Sequence, residues 1–432
     1  MLDIKFIREN PDLVREAAKK KRVDFNLQTL LETDEKRREI IKGVEELRSQ
    51  QNKESDKIAG MVDKNEKENA IRALKEIKET ISQKERELKK IEIRWQDLML
   101  RVPNIPDLSV PNGESDADNI EVKRNGNPKD FDFKIKNHIE LIQDLDLADF
   151  ERGAKVSGFR GYFLKNNGAL LSFAIWQFAY EHFLSEDGFT PVIAPSLVKR
   201  EALEGTGYLP QGEDDLYRTQ DGDYLSGTSE VAMMGYFMDE IILAEELPKK
   251  LLGFSVCFRR EAGSHGKDTK GLMRVHEFYK FEQLILCRAD HQESVKYHEW
   301  INRNTEEFAE ALGLPYRTVI NCGADLGLGQ VKKYDVELWI PSEGKYREIS
   351  SASYFHDFQT RRLNIRYRDT NGKLKFAHSL NSTAIATPRV LISILENYQN
   401  ADGSVTVPEA LRKYIGKEKI EMPKVLRNEM PK

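Results

Sequence analysis

Residues 258–278 read Phe-Arg-Arg-Glu-Ala-Gly-Ser-His-Gly-Lys-Asp-Thr-Lys-Gly-Leu-Met-Arg-Val-His-Glu-Phe. Apolar runs at 251–258 and 281–286 flank this stretch, whose middle is rich in Gly and Lys, and the pattern predicts a long β-hairpin. Arg259 ends the first strand and Arg274 lies beside the returning one. A planar guanidinium matches phosphates and carboxylates, so one interpretation is a nucleotide site; a charged hairpin tip in solvent is the other.

The composition indicates a globular body with a solvated, charged appendage. A chain of 432 residues is long enough for about two to four domains. Hydrophobic residues make up 39% of the chain and charged residues 32%, which suits a charged helical appendage on a globular core. Lys and Arg number 67 against 72 Asp and Glu. Net charge therefore does not indicate nucleic-acid binding, and any RNA contact must use local patches.

Cysteine usage and apolar runs bear on the compartment. Cys257, Cys287 and Cys322 are far apart in the sequence and match neither a disulfide framework nor a paired zinc spacing, which favours a reducing compartment. The sequence contains no apolar run long enough to span a bilayer. The first residues carry an early acid and lack the character of a signal or transit peptide. We therefore expect a cytoplasmic protein without membrane contact.

Residues 28–100 repeat apolar side chains at steps of three and four in a background of Lys, Glu and Arg. The spacing predicts heptads on both sides of a polar break at 60–67, and two helices that fold back as an antiparallel coiled coil. The expected opposed positions are Ile58 with Leu74, Gln51 with Ile81, Val44 with Leu88, and Ile40 with Ile91. Periodicity alone is also consistent with a purely structural or dimerising coiled coil.

Prolines and glycines interrupt the periodicity after the helices, and we place a linker at 101–130 between an N-terminal helical domain at 1–100 and a second domain at 131–432. In the second domain, strand-like runs are separated by segments that are often too short for crossover helices. This predicts an α+β fold with an antiparallel sheet flanked by helices. The chain lacks a Gly-x-Gly-x-x-Gly turn after a strand and a Lys-Ser/Thr phosphate loop, which argues against Rossmann and P-loop sites.

The hairpin sequence resembles the second class-defining motif of class II aminoacyl-tRNA synthetases, in the form found in seryl-tRNA synthetases. The family pattern is Phe-Arg-x-Glu, a loop, Arg-x-His-x-Phe and then a glutamate. Its counterparts here are Phe258, Arg259, Glu261, Arg274, His276, Phe278 and Glu282. Further stretches resemble the family in the same order: residues 188–198 the first class motif, 227–230 the Thr-Ser-Glu loop, 346–353 the Glu-x-Ser-Ser strand, and 380–389 the third class motif.

The resemblance implies ATP-dependent activation of L-serine and its transfer to tRNA(Ser), and also to tRNA(Sec), by a homodimer that uses Mg²⁺. It implies a class II catalytic domain at 131–432 and a dimer interface at 188–198. It also implies that the coiled-coil arm grips the long variable arm of the tRNA, although charges along the second helix are nearly balanced. The lysines expected to contact RNA phosphates are Lys75, Lys78, Lys89 and Lys90. The loop at 263–271 would close on the acceptor end.

The site residues follow from the resemblance. The catalytic set is Arg259, Glu348 and Arg389. The serine-binding set is Thr228, Ser229, Glu230, Arg259, Glu282, Asn381 and Thr383. The ATP-binding set is Arg259, Arg260, Glu261, Arg274, Val275, His276, Phe278, Glu348, Ile349, Ser350, Ser351 and Arg389. The residues expected to hold Mg²⁺, through ATP, are Glu348 and Ser351.

The chemistry explains these residue types. A serine carboxylate is already ionised near neutral pH, so the reaction needs charge neutralisation and alignment rather than a general base. Each cluster by itself has a plainer interpretation: residues 228–230 as a helix cap, Glu348 as strand alternation, and Arg389 as a surface residue. A synthetase-like protein without activity and a class II enzyme for another amino acid or a carrier protein are the alternatives. The combination of Thr228, Glu282 and Thr383 favours serine.

The sequence departs from the family pattern in places. The third motif commonly reads Asn-Gly-Ser-Gly, and here residues 381–384 read Asn-Ser-Thr-Ala. The usual Ser-Gly-Ser-Arg-Phe is replaced at 157–162 by Ser-Gly-Phe-Arg-Gly-Tyr, and residues 231–232 lack a common proline. Thr383 still offers a hydroxyl, so these changes affect local packing rather than the predicted site.

Overall fold

The computed structural model describes residues 1–185, 188–264, 266 and 268–423. The chain separates into two compact units. One comprises Leu2–Lys19 and Val23–Pro103, and the other comprises Met1, Lys20–Arg22 and the described part of Asn104–Lys432. Among the described residues, no helix combines the length and apolar character needed to cross a membrane.

The α-helices of the described residues are α1 Ile4–Glu9, α2 Pro11–Lys20, α3 Leu27–Gly60, α4 Lys64–Leu100, α5 His138–Asp144, α6 Phe150–Ser157, α7 Asn166–Ser185, α8 Arg200–Thr206, α9 Ser229–Tyr236, α10 His291–Ala311, α11 Phe358–Arg362, α12 Thr387–Asn397 and α13 Glu409–Ile415. The strands are β1 Ile120–Asn125, β2 Ala148–Asp149, β3 Phe163–Leu164, β4 Thr190–Ile193, β5 Leu197–Val198, β6 Tyr217–Arg218, β7 Tyr224–Leu225, β8 Ile241–Leu243, β9 Lys249–Phe258, β10 Glu277–Cys287, β11 Tyr316–Ile320, β12 Lys332–Ile340, β13 Lys345–His356, β14 Arg366–Arg368, β15 Leu374–Phe376, β16 His378–Ala386, β17 Val405–Thr406 and β18 Lys419–Ile420.

The predicted coiled coil is confirmed by the long helices α3 and α4. Asp63 caps α4 by accepting a hydrogen bond from the Glu66 amide at 2.9 Å. Between the helices, Arg48 forms an ion pair with Glu85 at 2.6 Å, close to the predicted pairing of Gln51 with Ile81. Most of the seam side chains are only half-buried, because two helices alone cannot cover each other's apolar stripe.

The predicted hairpin is the pair β9 and β10, in which Phe258 lies opposite Glu277. The main sheet has the order β1-β11-β12-β13-β16-β10-β9-β4, and its neighbours are antiparallel except for β4 beside β9. Alternation divides the side chains of β10: Ile285 belongs to the core that includes α7, α10 and α12, whereas Leu284 belongs to a second core with residues of α9. The predicted α+β fold with a largely antiparallel sheet is therefore confirmed.

Some local boundaries differ from the expectation. The stretch predicted as a linker at 101–130 contains β1, which forms the edge of the main sheet beside β11. Every residue of β1 is exposed, so this strand lacks the burial pattern that would reveal it in the sequence. The amphipathic pattern of residues 138–150 predicts a single helix, but α5 ends at Asp144, and Asp146 has a left-handed backbone with φ of 55°.

Candidate active site

Strand alternation places the predicted residues of β10 on one side of the sheet. Phe278, Lys280 and Glu282 are two residues apart and so share a face with Leu284. Across the strand pair, Thr383 of β16 lies directly opposite Glu282. Strand β16 lies between β10 and β13 in the sheet, so residues of β13, β16 and β10 can contribute to the same site.

A first cavity, here called the hairpin pocket, lies where the hairpin meets the start of α12. Its lining consists of Arg259, Glu261, Leu272, Met273, Arg274, Val275, Phe278, Lys280, Glu348, Ile349, Thr383, Ala386, Pro388 and Arg389. The Arg259 guanidinium lies over the Phe278 ring, 5.4 Å from its centroid. The pocket therefore combines cations with an aromatic floor, an arrangement that suits a nucleotide.

Backbone and side-chain contacts hold the hairpin arginines. The Arg259 amide donates to the His276 carbonyl at 3.0 Å, which keeps the two strands together at the pocket. Arg274 donates to Glu261 at 3.0 Å and to Asp268 at 3.1 Å. These bonds fix the position of the Arg274 side chain before any ligand is present.

Glu348 and Arg389 meet at the far wall of the hairpin pocket. Arg389 donates to the Glu348 carbonyl at 2.7 Å, and its guanidinium lies 3.5 Å from the Glu348 carboxylate. Desolvation acts against ionisation of Glu348, although 46% of its side chain is exposed. The positive charges of Arg389, Lys333 and Arg259 outweigh this effect and hold the pKa of Glu348 below its usual value. Glu348 is therefore an anion among cations at neutral pH.

A second cavity, here called the acidic pocket, adjoins the first. Its lining includes Glu230, Glu282, Asn381 and Ser351, and it shares Arg259, Lys280, Glu348 and Thr383 with the hairpin pocket. Thr383 donates to the Glu282 carboxylate at 3.3 Å. Two buried carboxylates in one small cavity favour a ligand with a positive charge and a hydrogen-bond donor.

Glu230 is held by residues from distant parts of the chain. Its carboxylate accepts hydrogen bonds from Gln359 at 2.7 Å and from the Tyr208 hydroxyl at 2.9 Å. Burial, and then the negative charge of Glu282, raise the pKa of Glu230 to about 7. This carboxyl can therefore change its charge near neutral pH.

Lys280 was not among the residues predicted from the sequence. It is buried, with 3% of its surface exposed. Its ammonium forms an ion pair with Glu282 and donates to Thr228 at 2.7 Å and to Thr383 at 3.3 Å. The sequence could have indicated Lys280, because it lies two residues before Glu282 on a predicted strand and alternation places both side chains on the same face.

Some predicted residues do not reach either pocket. Arg260 is exposed, and only its backbone makes a described bond, to the Asp215 carbonyl at 2.9 Å. Ser229 is fully buried, and a side chain at Gly253 of β9 would come within 2.8 Å of its hydroxyl. Ser350 donates to the Thr383 carbonyl, on the sheet rather than in a cavity. The His276 ring turns outward and donates to the Phe159 carbonyl at 3.0 Å.

The oxygen donors fit the predicted use of Mg²⁺. Among the residues that the structure describes, no group of three or more His, Cys, Asp or Glu side chains could hold a metal ion. Glu348 and Ser351 both line the acidic pocket, and carboxylate and hydroxyl oxygens are hard ligands that suit Mg²⁺. Two such donors leave most of an octahedral shell open, so an ion here needs further oxygens from a phosphate or water.

Comparisons with known proteins agree with this geometry. The family model described as the seryl-tRNA synthetase N-terminal domain matches residues 1–106, and that of the tRNA synthetase class II core domain (G, H, P, S and T) matches residues 215–398. The serine–tRNA ligase of Deinococcus radiodurans is 46% identical over 417 residues, which cover 96% of this chain and 98% of that protein. The serine–tRNA ligase of Caldicellulosiruptor saccharolyticus is 42% identical over 424 residues, which cover 98% of this chain and 100% of that protein.

Solved structures show the same similarity. Seryl-tRNA synthetase from Pyrococcus horikoshii, complexed with ATP, superimposes with a TM-score of 0.91 at 39% identity, over 98% of this chain and 100% of that one. The cytoplasmic serine–tRNA ligase from Naegleria fowleri, in complex with AMP, gives a TM-score of 0.86 at 31% identity, over 98% of this chain and 99% of that one.

The antiparallel sheet, its long hairpin and the strand-to-helix junction at Arg389 define a class II aminoacyl-tRNA synthetase, and the predicted class of enzyme is thereby confirmed. The matches to both of its domains, over nearly the whole length, allow a narrower statement. The chain belongs to the seryl-tRNA synthetase family.

Proposed function

We propose that the chain activates L-serine with ATP to form seryl-adenylate and then transfers the seryl group to tRNA(Ser). The observation that carries the proposal is the position of Arg259, whose side chain lines both the hairpin pocket and the acidic pocket. A planar guanidinium there can bind the amino-acid carboxylate and the α-phosphate together. With both groups aligned on one side chain, the carboxylate attacks the α-phosphate within a single complex rather than after a random encounter.

The hairpin pocket suits ATP. Phe278 would stack on one face of the adenine, and the guanidinium of Arg259 lies close to the Phe278 ring. Arg389 would bind the outer phosphates, and Arg274, held by Glu261 and Asp268, would face the nucleotide from the hairpin. When bound with the nucleotide, Mg²⁺ would be held by Glu348 and Ser351 and would offset phosphate charge.

The acidic pocket suits serine. Glu282 and Thr383 would bind the serine hydroxyl, and Glu230 would bind the ammonium. Thr228 is buried and is not among the described residues lining either pocket, and its hydroxyl accepts a hydrogen bond from Lys280, so it would support the site through Lys280. A site that forms hydrogen bonds with a hydroxyl rejects an analogue without it by about 10⁴-fold, since its own polar groups are then left unpaired. Alanine would be rejected in this way.

The test is pyrophosphate exchange with a panel of amino acids. The full chain is expected to exchange with serine and at most weakly with alanine, glycine, threonine and cysteine. Exchange that depends on alanine or glycine would instead overturn the choice of substrate. Absence of exchange with every amino acid would favour a protein without synthetase activity.

The tRNA is proposed to bind through the arm formed by α3 and α4. Exposed lysines along α4, including Lys75 and Lys78, support contact with RNA phosphates. Since phosphate contacts recognise shape rather than base sequence, the proposal extends to tRNA(Sec) with a similar long arm. Charging of separate transcripts with labelled serine tests both substrates.

The proposal also includes a homodimer in the cytoplasm. Apolar side chains near the first motif are exposed in the single chain, among them Ile193 at 82% and Leu197 at 53%, and a second copy could cover them. All three cysteines are free and buried, which suits a reducing compartment. The molecular mass in solution tests the dimer.

The charge of Glu230 should make serine binding depend on pH. With a pKa raised to about 7 by burial and by Glu282, Glu230 is mostly neutral at pH 6 and mostly ionised at pH 8. Only the ionised form attracts the serine ammonium, so the KM for serine should fall by about 10-fold as pH rises between those values. Pyrophosphate exchange across this range measures it.

A Glu230→Gln variant provides the control for the pH prediction. It should have a raised KM for serine that changes little with pH, because its side chain cannot titrate. The same pH profile in the variant and in the unchanged enzyme would contradict the assignment to Glu230.

Replacing Lys280 should impair serine activation. In Lys280→Met, the Glu282 carboxylate would lose the cation that pairs with it in the interior, and an unpaired buried charge is costly. We expect kcat/KM for serine in pyrophosphate exchange to fall by about 100-fold, within the range expected when one partner of a buried, hydrogen-bonded charge pair is removed. If Lys280 acts through Glu282, then adding Lys280→Met to a Glu282→Gln enzyme should lower kcat/KM little further than Glu282→Gln does alone. Equal effects of the methionine in both backgrounds would show that Lys280 does not act through Glu282.

A further inference from the structure

An exposed phenylalanine marks the loop between α6 and β3. Phe159 is 65% exposed and stands where the family pattern Ser-Gly-Ser-Arg-Phe has its second serine, while Gly161 takes the place of the pattern's phenylalanine. A side chain at Gly161 would come within 2.2 Å of the Ser157 hydroxyl. The aromatic ring of this chain has therefore moved from the end of the pattern to the solvent side of the loop.

The loop that carries Phe159 is held to the hairpin. The Phe159 carbonyl accepts a hydrogen bond from the His276 ring at 3.0 Å, and the Arg160 guanidinium donates to the Arg274 carbonyl at 3.2 Å. Gly158 and Arg160 have left-handed backbones, with φ of 80° and 70°. These constraints present the ring in a defined place, at a small cost in entropy for a partner that binds it.

Phe159 lies at the wall of a groove of about 340 Å³. The groove is lined by Ile139, Phe150, Glu151, Ala154, Phe159, Arg160, Gly161, Thr269, Lys270, Gly271 and Arg274. Its charged groups are three cations and one carboxylate, and Lys270 is exposed and has no ion pair among the described residues. Aromatic and apolar walls beside cations are typical of sites for single-stranded nucleic acid.

The groove is continuous with the active site. Arg274 lines both the groove and the hairpin pocket. A strand that enters along the groove would therefore arrive beside the nucleotide, where its end must be to accept the activated amino acid.

We propose that the single-stranded 3′ end of the tRNA lies in this groove, with an unpaired base stacked on Phe159 and a phosphate beside Lys270. The inference rests on the proposed function. The resemblance already implies that the loop at 263–271 closes on the acceptor end, and the new element is Phe159, an aromatic side chain where the family pattern has a serine. A base stacks on an aromatic ring without regard to sequence, which suits an end that is the same in all tRNAs.

The test compares Phe159→Ala with Phe159→Tyr and, as a matched control, with Phe163→Ala, another partly exposed aromatic that does not line the groove. In Phe159→Ala, kcat/KM for tRNA in charging should fall by about 10- to 100-fold, the range expected for one stacked base. The other two variants should stay within about twofold of the unchanged enzyme. Serine-dependent pyrophosphate exchange should stay the same in all three, because no RNA takes part.

A truncated tRNA separates the groove from the rest of the binding surface. A tRNA without its three terminal nucleotides should bind the unchanged enzyme and Phe159→Ala equally well. Three results would each overturn the inference: normal charging by Phe159→Ala, weaker binding of the truncated tRNA to Phe159→Ala than to the unchanged enzyme, or a loss of pyrophosphate exchange in Phe159→Ala as large as its loss of charging. Failure of the proposed function would be distinguishable, because it would appear as missing exchange or charging by the unchanged enzyme.

Discussion

Arg259→Ala is expected to lower kcat/KM for serine-dependent pyrophosphate exchange by about 10³-fold or more. Arg259 lines both pockets and lies over the Phe278 ring, so alanine would remove one contact to each reactant and the group that aligns them. Positioned arginines on phosphoryl groups are worth about 10³- to 10⁵-fold in rate. Pyrophosphate exchange at saturating ATP and varied serine measures the loss.

Two matched variants make this result interpretable. Arg259→Lys keeps the charge but loses the planar fork, so it should recover only a small part of the activity. Arg260→Ala changes the adjacent exposed arginine, whose side chain is not among the described residues lining the pockets, and should exchange almost normally. Full exchange by Arg259→Ala would overturn the proposed mechanism, and a large loss in Arg260→Ala would show that the neighbouring residue has a role that the geometry does not indicate.

Removing the outer part of the arm is expected to abolish tRNA charging and leave adenylate formation intact. The change replaces residues 49–83 with a short Gly-rich linker. Arg48 and Glu85 form an ion pair at 2.6 Å across the helices, so the cut ends lie side by side and the remaining coiled coil can close. We expect kcat/KM for tRNA to fall by about 10³-fold, since several phosphate contacts would be lost together. Pyrophosphate exchange should stay within about twofold.

Substitutions in the intact arm provide the control for the deletion. Changing Lys75, Lys78, Lys89 and Lys90 to alanine should weaken charging, and the loss should shrink at low salt, as phosphate contacts require. Changing the nearby glutamates Glu76 and Glu79 to alanine should not weaken it. Unchanged charging by the deleted enzyme would contradict a tRNA-binding arm and favour a structural coiled coil.

Much of the fold could be predicted from local pattern. Heptad spacing predicted the helix pair, and two apolar runs around a Gly-rich loop predicted β9 and β10, because both depend on side chains close in sequence. The edge strand β1 could not be predicted in this way, since all of its residues are exposed. Its pairing depends on β11, which lies far away along the chain.

The functional site was also only partly predictable from the sequence. The residue types and order in the motifs indicated Arg259, Glu282, Glu348 and Arg389 as candidates, and the structure places these side chains around two adjoining pockets. The motifs also indicated Ser229 and Ser350, whose side chains pack against the sheet and do not line those pockets. Sequence order does not reveal which way each side chain turns near a strand bulge or a helix start.

By itself, the sequence determined the arm, the hairpin and the acids and bases available for chemistry, because periodicity and residue type are local properties. Only the tertiary structure decided their electrostatic state. Glu230 meets Tyr208 and Gln359 from separate segments, and Lys280 reaches Glu282 and two threonines in a buried space. The charge of a buried group depends on everything around it in space, and those neighbours are known only once the chain has folded.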